Sequence, residues 1–173
     1  EIDTLKATVG AIQAEPDLGA CHFRATIKWL SGNHNRSTGT GFYGARQELA
    51  HKQRFVMDAD ERAILAGEDE GATPVEHLLH ALASCLTTSM VAHAAVRGIA
   101  IEELESELEG DIDLRGFLGL ADDVPKGYTA IRAKFRVKAD AGDLETLRRL
   151  ANFSPVFNTL TSGTNVDVKV ELK

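Results

Sequence analysis

The stretch "ALASCLTTS", residues 81–89, places one cysteine among small and apolar residues. A thiol does chemistry as thiolate, and an unperturbed cysteine titrates at about 8.5, leaving only a small ionised fraction at neutral pH. In a helix, at about 100° per residue, Leu78, Ala81, Leu82 and Ala92 fall near the Cys85 face. Such neighbours suit an inert, packed thiol. A reactive thiol needs a cation from another element, because Cys85 would lie about three turns into its helix and the helix dipole fades beyond the first turn. Arg24, Arg36, Arg46 and Arg54 are candidates from the N-terminal strands. On the residue pattern alone the inert, packed reading of Cys85 is favoured.

Other constellations are weaker. His77 and His80 are spaced i, i+3 with His93 beyond, but "EHLLH" is not the HExxH zinc arrangement, and His22, His34 and His51 add no cluster of recognised spacing, so no metal is expected. Ser84 and Ser89 lack the G-x-S-x-G context of a serine hydrolase. "GNHNRSTGTG" lacks the spacing of a phosphate-cradling loop. Lys and Arg number 19 against 26 Asp and Glu, a net charge of −7 with no basic run, which disfavours nucleic acid as a partner. No uninterrupted apolar stretch predicts a membrane span, and the acidic N-terminal stretch does not read as a signal peptide. Two cysteines are too few for a disulfide scaffold, so a reduced, cytoplasmic setting is expected.

The elements that would position these groups follow from hydrophobic periodicity. Residues 2–14 carry helical spacing and end before Pro16. "CHFRATIKWL" alternates as a strand, "SGNHNR" turns the chain, "STGTGFYG" returns as the second arm of a hairpin, and "QRFVMDA" is a short third strand. An acidic loop leads to the longest helix, about Pro74 to Arg97, with Thr73 as N-cap and Gly98 as stop. "IEELESELEGDIDLRG" fits helix or strand. "YTAIRAKFRVKAD" alternates with Arg132, Lys134, Arg136 and Lys138 on a solvated face. Two short helices, "DLETLRRLANF" and "SPVFNTLTSG", precede a closing strand, "NVDVKVELK". The absence of regular strand–helix alternation predicts an α+β fold in a single domain over residues 1–173.

The segments "GATPVEHLLHALASCLTTSM" and "NFSPVFNTLTSGTNVDVKVEL" resemble the OsmC/Ohr family of osmotically inducible and organic-hydroperoxide-resistance proteins. The resemblance covers about residues 20–173 and leaves residues 1–19 as an added helix. It implies antiparallel sheets around long central helices in an intertwined homodimer, with active sites at the dimer interface and no cofactor. It also implies thiol peroxidase chemistry, with Cys85 at the position of the attacking thiol. Two positions depart from the family pattern. Ser154 stands where the second, resolving cysteine is carried, so the cycle would use one cysteine and an external thiol reductant. Val75 stands where the glutamate follows the helix-opening proline, and Glu76 comes one residue later, turned by about 100°. The family's hairpin arginine corresponds to Arg36. Trp29, Phe42 and Ser154 are the substrate-side residues of this reading, while aromatics on a hairpin are more often plain core and Arg36 equally suits a solvated turn. The resulting expectation is reduction of organic hydroperoxides by Cys85, with Arg36 and Glu76 as its catalytic partners. The alternatives are a non-catalytic protein binding a small apolar or electrophilic ligand at the dimer interface, and an interaction protein in which Cys85 is packed.

Overall fold

The computed structural model describes residues 1–39 and 41–173. The chain divides into two compact units, Glu1–Leu78 and Leu79–Lys173.

The first unit begins with α1, Ile2–Ala14, followed by a short 3₁₀ turn at Pro16–Gly19. The alternating stretch expected as one strand breaks at Arg24–Ala25 into β1, His22–Phe23, and β2, Thr26–Ser31. The hairpin return is β3, His34–Gly44, and the third strand is longer than expected, β4 covering Gln47–Ala59. β3 is central: it pairs antiparallel with β1 and β2 along one edge and with β4 along the other. Its register sets Ile27 opposite Ser37, Lys28 opposite Arg36 and Trp29 opposite Asn35, while Ser37 meets Met57 and Arg36 meets Asp58 across β4. Directly opposed residues share a face, and faces alternate along a strand. Ile27, Trp29 and Met57 therefore lie on one face of the sheet, and Lys28, Arg36 and Asp58 on the other.

Ala45 and Arg46 make the turn between β3 and β4 with φ of 48° and 61°. A two-residue hairpin turn with both φ positive usually uses Asn-Gly. Here Arg46 instead reaches Glu15 at 2.7 Å and Asp17 at 3.7 Å in the segment that follows α1.

The acidic loop after β4 is organised by Asp60, only 2% exposed. Its carboxylate accepts backbone N–H groups from Glu61 at 2.8 Å, Glu68 at 3.1 Å and Glu70 at 3.2 Å. Burial acts to raise its pKa, but the N–H groups of Glu61, Glu70 and Glu68 outweigh it and the net shift is downward. A lowered carboxylate stabilises the fold above the ordinary aspartate range, about 3.9, and that contribution disappears as pH falls through the lower folded value. Asp60→Asn should melt at a lower temperature at pH 7 and lose stability less steeply on acidification. Thermal melts of both proteins from neutral to strongly acidic pH check this.

The second unit is built on the body of α2, Pro74–Val96. The ambiguous segment folds as β5, Ile101–Asp111, paired antiparallel with β6, Ala130–Ala139. Strand wins because alternation turns Leu104 and Leu108 toward the core while the intervening carboxylates meet the basic row of β6. Arg132 pairs with Glu109 and Asp111, both at 2.7 Å, and Arg136 with Glu105 and Glu107, both at 2.8 Å. Lys138 pairs with Glu102 at 2.9 Å.

A short helix α3, Leu114–Phe117, lies between the strands, and α4, Leu144–Ala151, and α5, Pro155–Ser162, follow β6. Although α2 is long and apolar enough to cross a bilayer, its Leu82, Leu86, Met90 and Ala94 form the core of this unit with Leu147, Leu150 and Ala151. Gly98, at φ 72°, follows the end of the helix in the left-handed conformation that glycine tolerates best.

The expected closing strand does not form within the chain. Residues 163–173 carry no regular element, and Val166, Val168, Val170 and Leu172 are 80%, 77%, 92% and 102% exposed. A strand requires a partner edge, and this segment has none among the described residues.

Candidate functional site

The entry to α2 is a capping box. The Glu76 carboxylate accepts from the Thr73 backbone N–H at 2.8 Å and from the Thr73 hydroxyl at 2.9 Å, and Thr73 Oγ1 accepts from the Glu76 N–H at 3.3 Å. The other carboxylate oxygen lies 3.5 Å from Arg62. The Thr73 N–H and hydroxyl, followed by the Arg62 guanidinium, hold the Glu76 carboxyl below its usual range. Both oxygens of the expected catalytic carboxylate are thus engaged locally, in the role that Thr73 three residues earlier makes natural.

Arg36 is held by an acid directly across the sheet. Its Nε donates to Asp58 Oδ1 at 2.7 Å and its Nη2 to Oδ2 at 3.1 Å, a bidentate pair. The pair lowers the Asp58 pKa and raises that of Arg36. His34 Nε2 stands 3.4 Å from the same carboxylate without hydrogen-bond alignment. His77 Nε2 lies 3.0 Å from the Asp58 carbonyl oxygen. Asp58 therefore organises this cluster, and the sequence reading missed it. The signal was the "DAD" at the end of the third strand, which becomes informative only once the strand register is known.

The other hairpin residues divide. Trp29 is 69% exposed and donates Nε1–H to the Gly32 carbonyl at 2.8 Å, on the sheet face opposite Arg36. Phe42 is half-buried in an aromatic row, 5.2 Å from the Phe23 ring and 5.7 Å from His51, which in turn meets Phe55 at 5.1 Å. The structure places Arg36 with Asp58 and Phe42 with other aromatics, and does not bring Trp29 to Arg36.

In the second unit, Cys85 is a free, half-buried thiol at the margin of the α2 face that buries Leu82, Leu86 and Ser89. Among the described residues no side chain hydrogen-bonds its sulfur. Cys21, an exposed free thiol, belongs to the first unit. Ser154 is fully buried and caps α5: its Oγ accepts the Phe157 N–H at 3.1 Å, ahead of Pro155 in the first turn. Serine is a strong N-cap, which gives this position a structural task. Ser154→Ala is expected to lower unfolding free energy by about 1–2 kcal/mol, measurable by urea denaturation.

His93 stacks on Phe153 with ring centroids 4.2 Å apart and lies 3.1 Å from Arg97. Burial and then the Arg97 charge lower its pKa, favouring the neutral ring. Among the described residues no group of three His, Cys, Asp or Glu side chains gathers in metal-binding geometry.

The architecture is thus an α+β chain with antiparallel sheets and a free cysteine midway along its longest helix. The family model for OsmC-like protein matches residues 67–169, and the chain belongs to that family. Solved structures similar to it include an OsmC-like protein from Mycoplasma pneumoniae, with 16% identity and a TM-score of 0.60 over 86% of this chain and 95% of that one. Another is described as an organic hydroperoxide resistance protein OsmC, predicted redox protein and regulator of sulfide bond formation, from Legionella pneumophila. Its identity is 14% and its TM-score 0.55, covering 82% of this chain and 91% of that one. A hypothetical protein from Aquifex aeolicus shares 18% identity and a TM-score of 0.54, over 83% and 89% of the two chains. At these identities the likeness is one of fold. No curated protein sequence matches the chain.

Proposed function

We propose that the protein is a cytoplasmic, homodimeric thiol peroxidase that reduces organic hydroperoxides through Cys85, in one OsmC-like domain per chain. The observation that carries this reading is a free, half-buried cysteine at the border of the α2 core face, in a chain of this family.

In the proposed cycle the Cys85 thiolate attacks the terminal oxygen of ROOH. An S–O bond forms, the O–O bond breaks, and the alkoxide leaves as ROH after taking a proton; the sulfur is oxidised to sulfenic acid. An external thiol then attacks that sulfur, forming a mixed disulfide and releasing water, and a second thiol restores Cys85 while becoming oxidised. With Ser154 serving as a helix cap, the chain's own distal segment supplies no resolving sulfur. Arg36, pre-oriented by Asp58, is the proposed guanidinium that stabilises the thiolate and the departing oxygen, with Glu76 steadying the start of α2. Phe42 is proposed to meet the apolar part of the substrate; Trp29, on the sheet face opposite Arg36, is not part of that contact.

A second reading draws on a specific observation: Arg36 and Glu76 are satisfied by Asp58, Thr73 and Arg62, and no described residue hydrogen-bonds the Cys85 sulfur. On that reading the family pocket binds an apolar or electrophilic ligand without turnover. Intact mass after a brief pulse of organic hydroperoxide, with a sulfenic-acid trap present, separates the two. One added oxygen, trapped at Cys85, is the expected result. An untouched thiol in the native protein would refute the peroxidase reading.

A further inference from the structure

Among the described residues, His34 carries a buried side-chain nitrogen, Nε2, that no hydrogen-bond partner meets. The strand register explains where it sits. β3 sets Arg36 opposite Asp58 and Asn35 opposite Ala59, so His34 shares a face with Arg36 and falls beside Asp60. Two carboxylates thus flank the ring, and they are not equivalent. Asp60 uses its oxygens on the backbone N–H groups of Glu61, Glu68 and Glu70. Asp58 holds Arg36 through both oxygens, and Oδ1, 2.7 Å from Arg36 Nε, is also the oxygen 3.4 Å from His34 Nε2. One oxygen lies between two nitrogens and serves one of them. Of the other groups on this face, Lys28 stands opposite Arg36 on β2. His77, in the first turn of α2, meets Asp58 at its backbone carbonyl, 3.0 Å from Nε2.

We propose that His34 is a positioning residue for Arg36: on taking a second proton its ring donates to Asp58 Oδ1, leaving the guanidinium held by Oδ2 alone. The proton comes from solvent, and no covalent bond changes beyond that N–H. The movement is small, since about half an ångström brings Nε2 within ordinary N–H···O range. A charged ring bonds a carboxylate more strongly than a neutral one, and two cations drawing on one oxygen weaken each other's hold. Histidine is the side chain whose charge ordinarily changes between pH 5 and 8. Arg36 and Asp58 keep their charges over that range, each supported by the other. By linkage, whatever the proton does to the Arg36–Asp58 pair, the pair does to the proton.

The bearing on turnover rests on the peroxidase reading above: the Arg36 Nε–H, released in mild acid, becomes available to the thiolate and the departing oxygen. The switch itself needs no peroxide.

The test is a titration of the full chain, labelled with nitrogen-15 and followed by NMR from about pH 8 to about pH 5. The His34 ring signals are assigned by their loss in His34→Gln. They should titrate with the same midpoint as a shift and faster exchange of the Arg36 Nε–H, which should stay unmoved in His34→Gln. Arg36→Gln, at a half-exposed side chain, gives an independent reading. It should bind the His34 proton at least about fivefold more tightly than wild type, the lower end of usual coupling between sites. A ring that does not titrate, an Arg36 Nε–H unmoved while it does, or a His34 midpoint unchanged in Arg36→Gln would each overturn the proposal. For turnover, the ratio of wild-type to His34→Gln peroxide consumption should rise as pH falls, because the thiolate fraction is common to both and cancels. A flat ratio would overturn the positioning role. An inert wild type would instead sink the peroxidase reading, and the NMR midpoints would still decide the switch.

Discussion

Replacing Cys85 by serine is expected to reduce hydroperoxide consumption by about a thousandfold or more, because the hydroxyl remains protonated and α2 carries no second thiol. Cys21→Ser should leave the rate unchanged, since Cys21 lies exposed in the first unit. Consumption of an organic hydroperoxide with excess dithiol, followed as residual peroxide, measures both. Equal rates for wild type and Cys85→Ser would dispose of the proposed chemistry while leaving the fold assignment intact. The contrast between the two cysteines matters more than the loss alone, because a non-specific thiol effect would follow exposure and fall on Cys21.

The largest effect on stability is expected from Leu147→Ala. Leu147 is 1% exposed and joins α4 to the Leu86, Met90 and Ala94 side of α2. Truncating a buried leucine removes its transfer free energy and leaves space that neighbours only partly reclaim, typically about 2–5 kcal/mol. We expect about 3 kcal/mol, read as a lower urea midpoint at unchanged slope. Leu144→Ala, on the same helix but 59% exposed, should cost well under about 1 kcal/mol. Comparable losses at the two positions would mean that α4 does not use Leu147 as its anchor.

Much of the fold was legible because its elements are locally consistent. The helix opening at Thr73-Pro74 carried its cap and proline, and the 130–139 strand showed its two faces plainly. The 101–111 segment was ambiguous for a physical reason: a row of carboxylates suits a helix surface until a basic strand stands beside it, and that neighbour lies far along the chain. The segment 165–172 reads as a strand, but periodicity reports a side-chain pattern and not the presence of an edge to pair with. At the site, Cys85 was found on a helix and Arg36 on a hairpin, as the sequence indicated. The bidentate hold of Asp58 on Arg36 and the use of Glu76 in a cap depend on register and on a three-residue reach. The second of these was open to inspection in "TPVE". Ser154 likewise has the sequence signature of a cap, serine before proline at the start of a short helix.

The Ala45-Arg46 bend ties hairpin geometry to the fate of α1. A glycine at Arg46 would relax the left-handed backbone, yet it would also cut the guanidinium leash to Glu15 and Asp17. A tighter hairpin and a tethered N-terminal helix are therefore competing outcomes at one position. Any effort to rigidify the molecule there would trade order in the sheet against freedom in the helix.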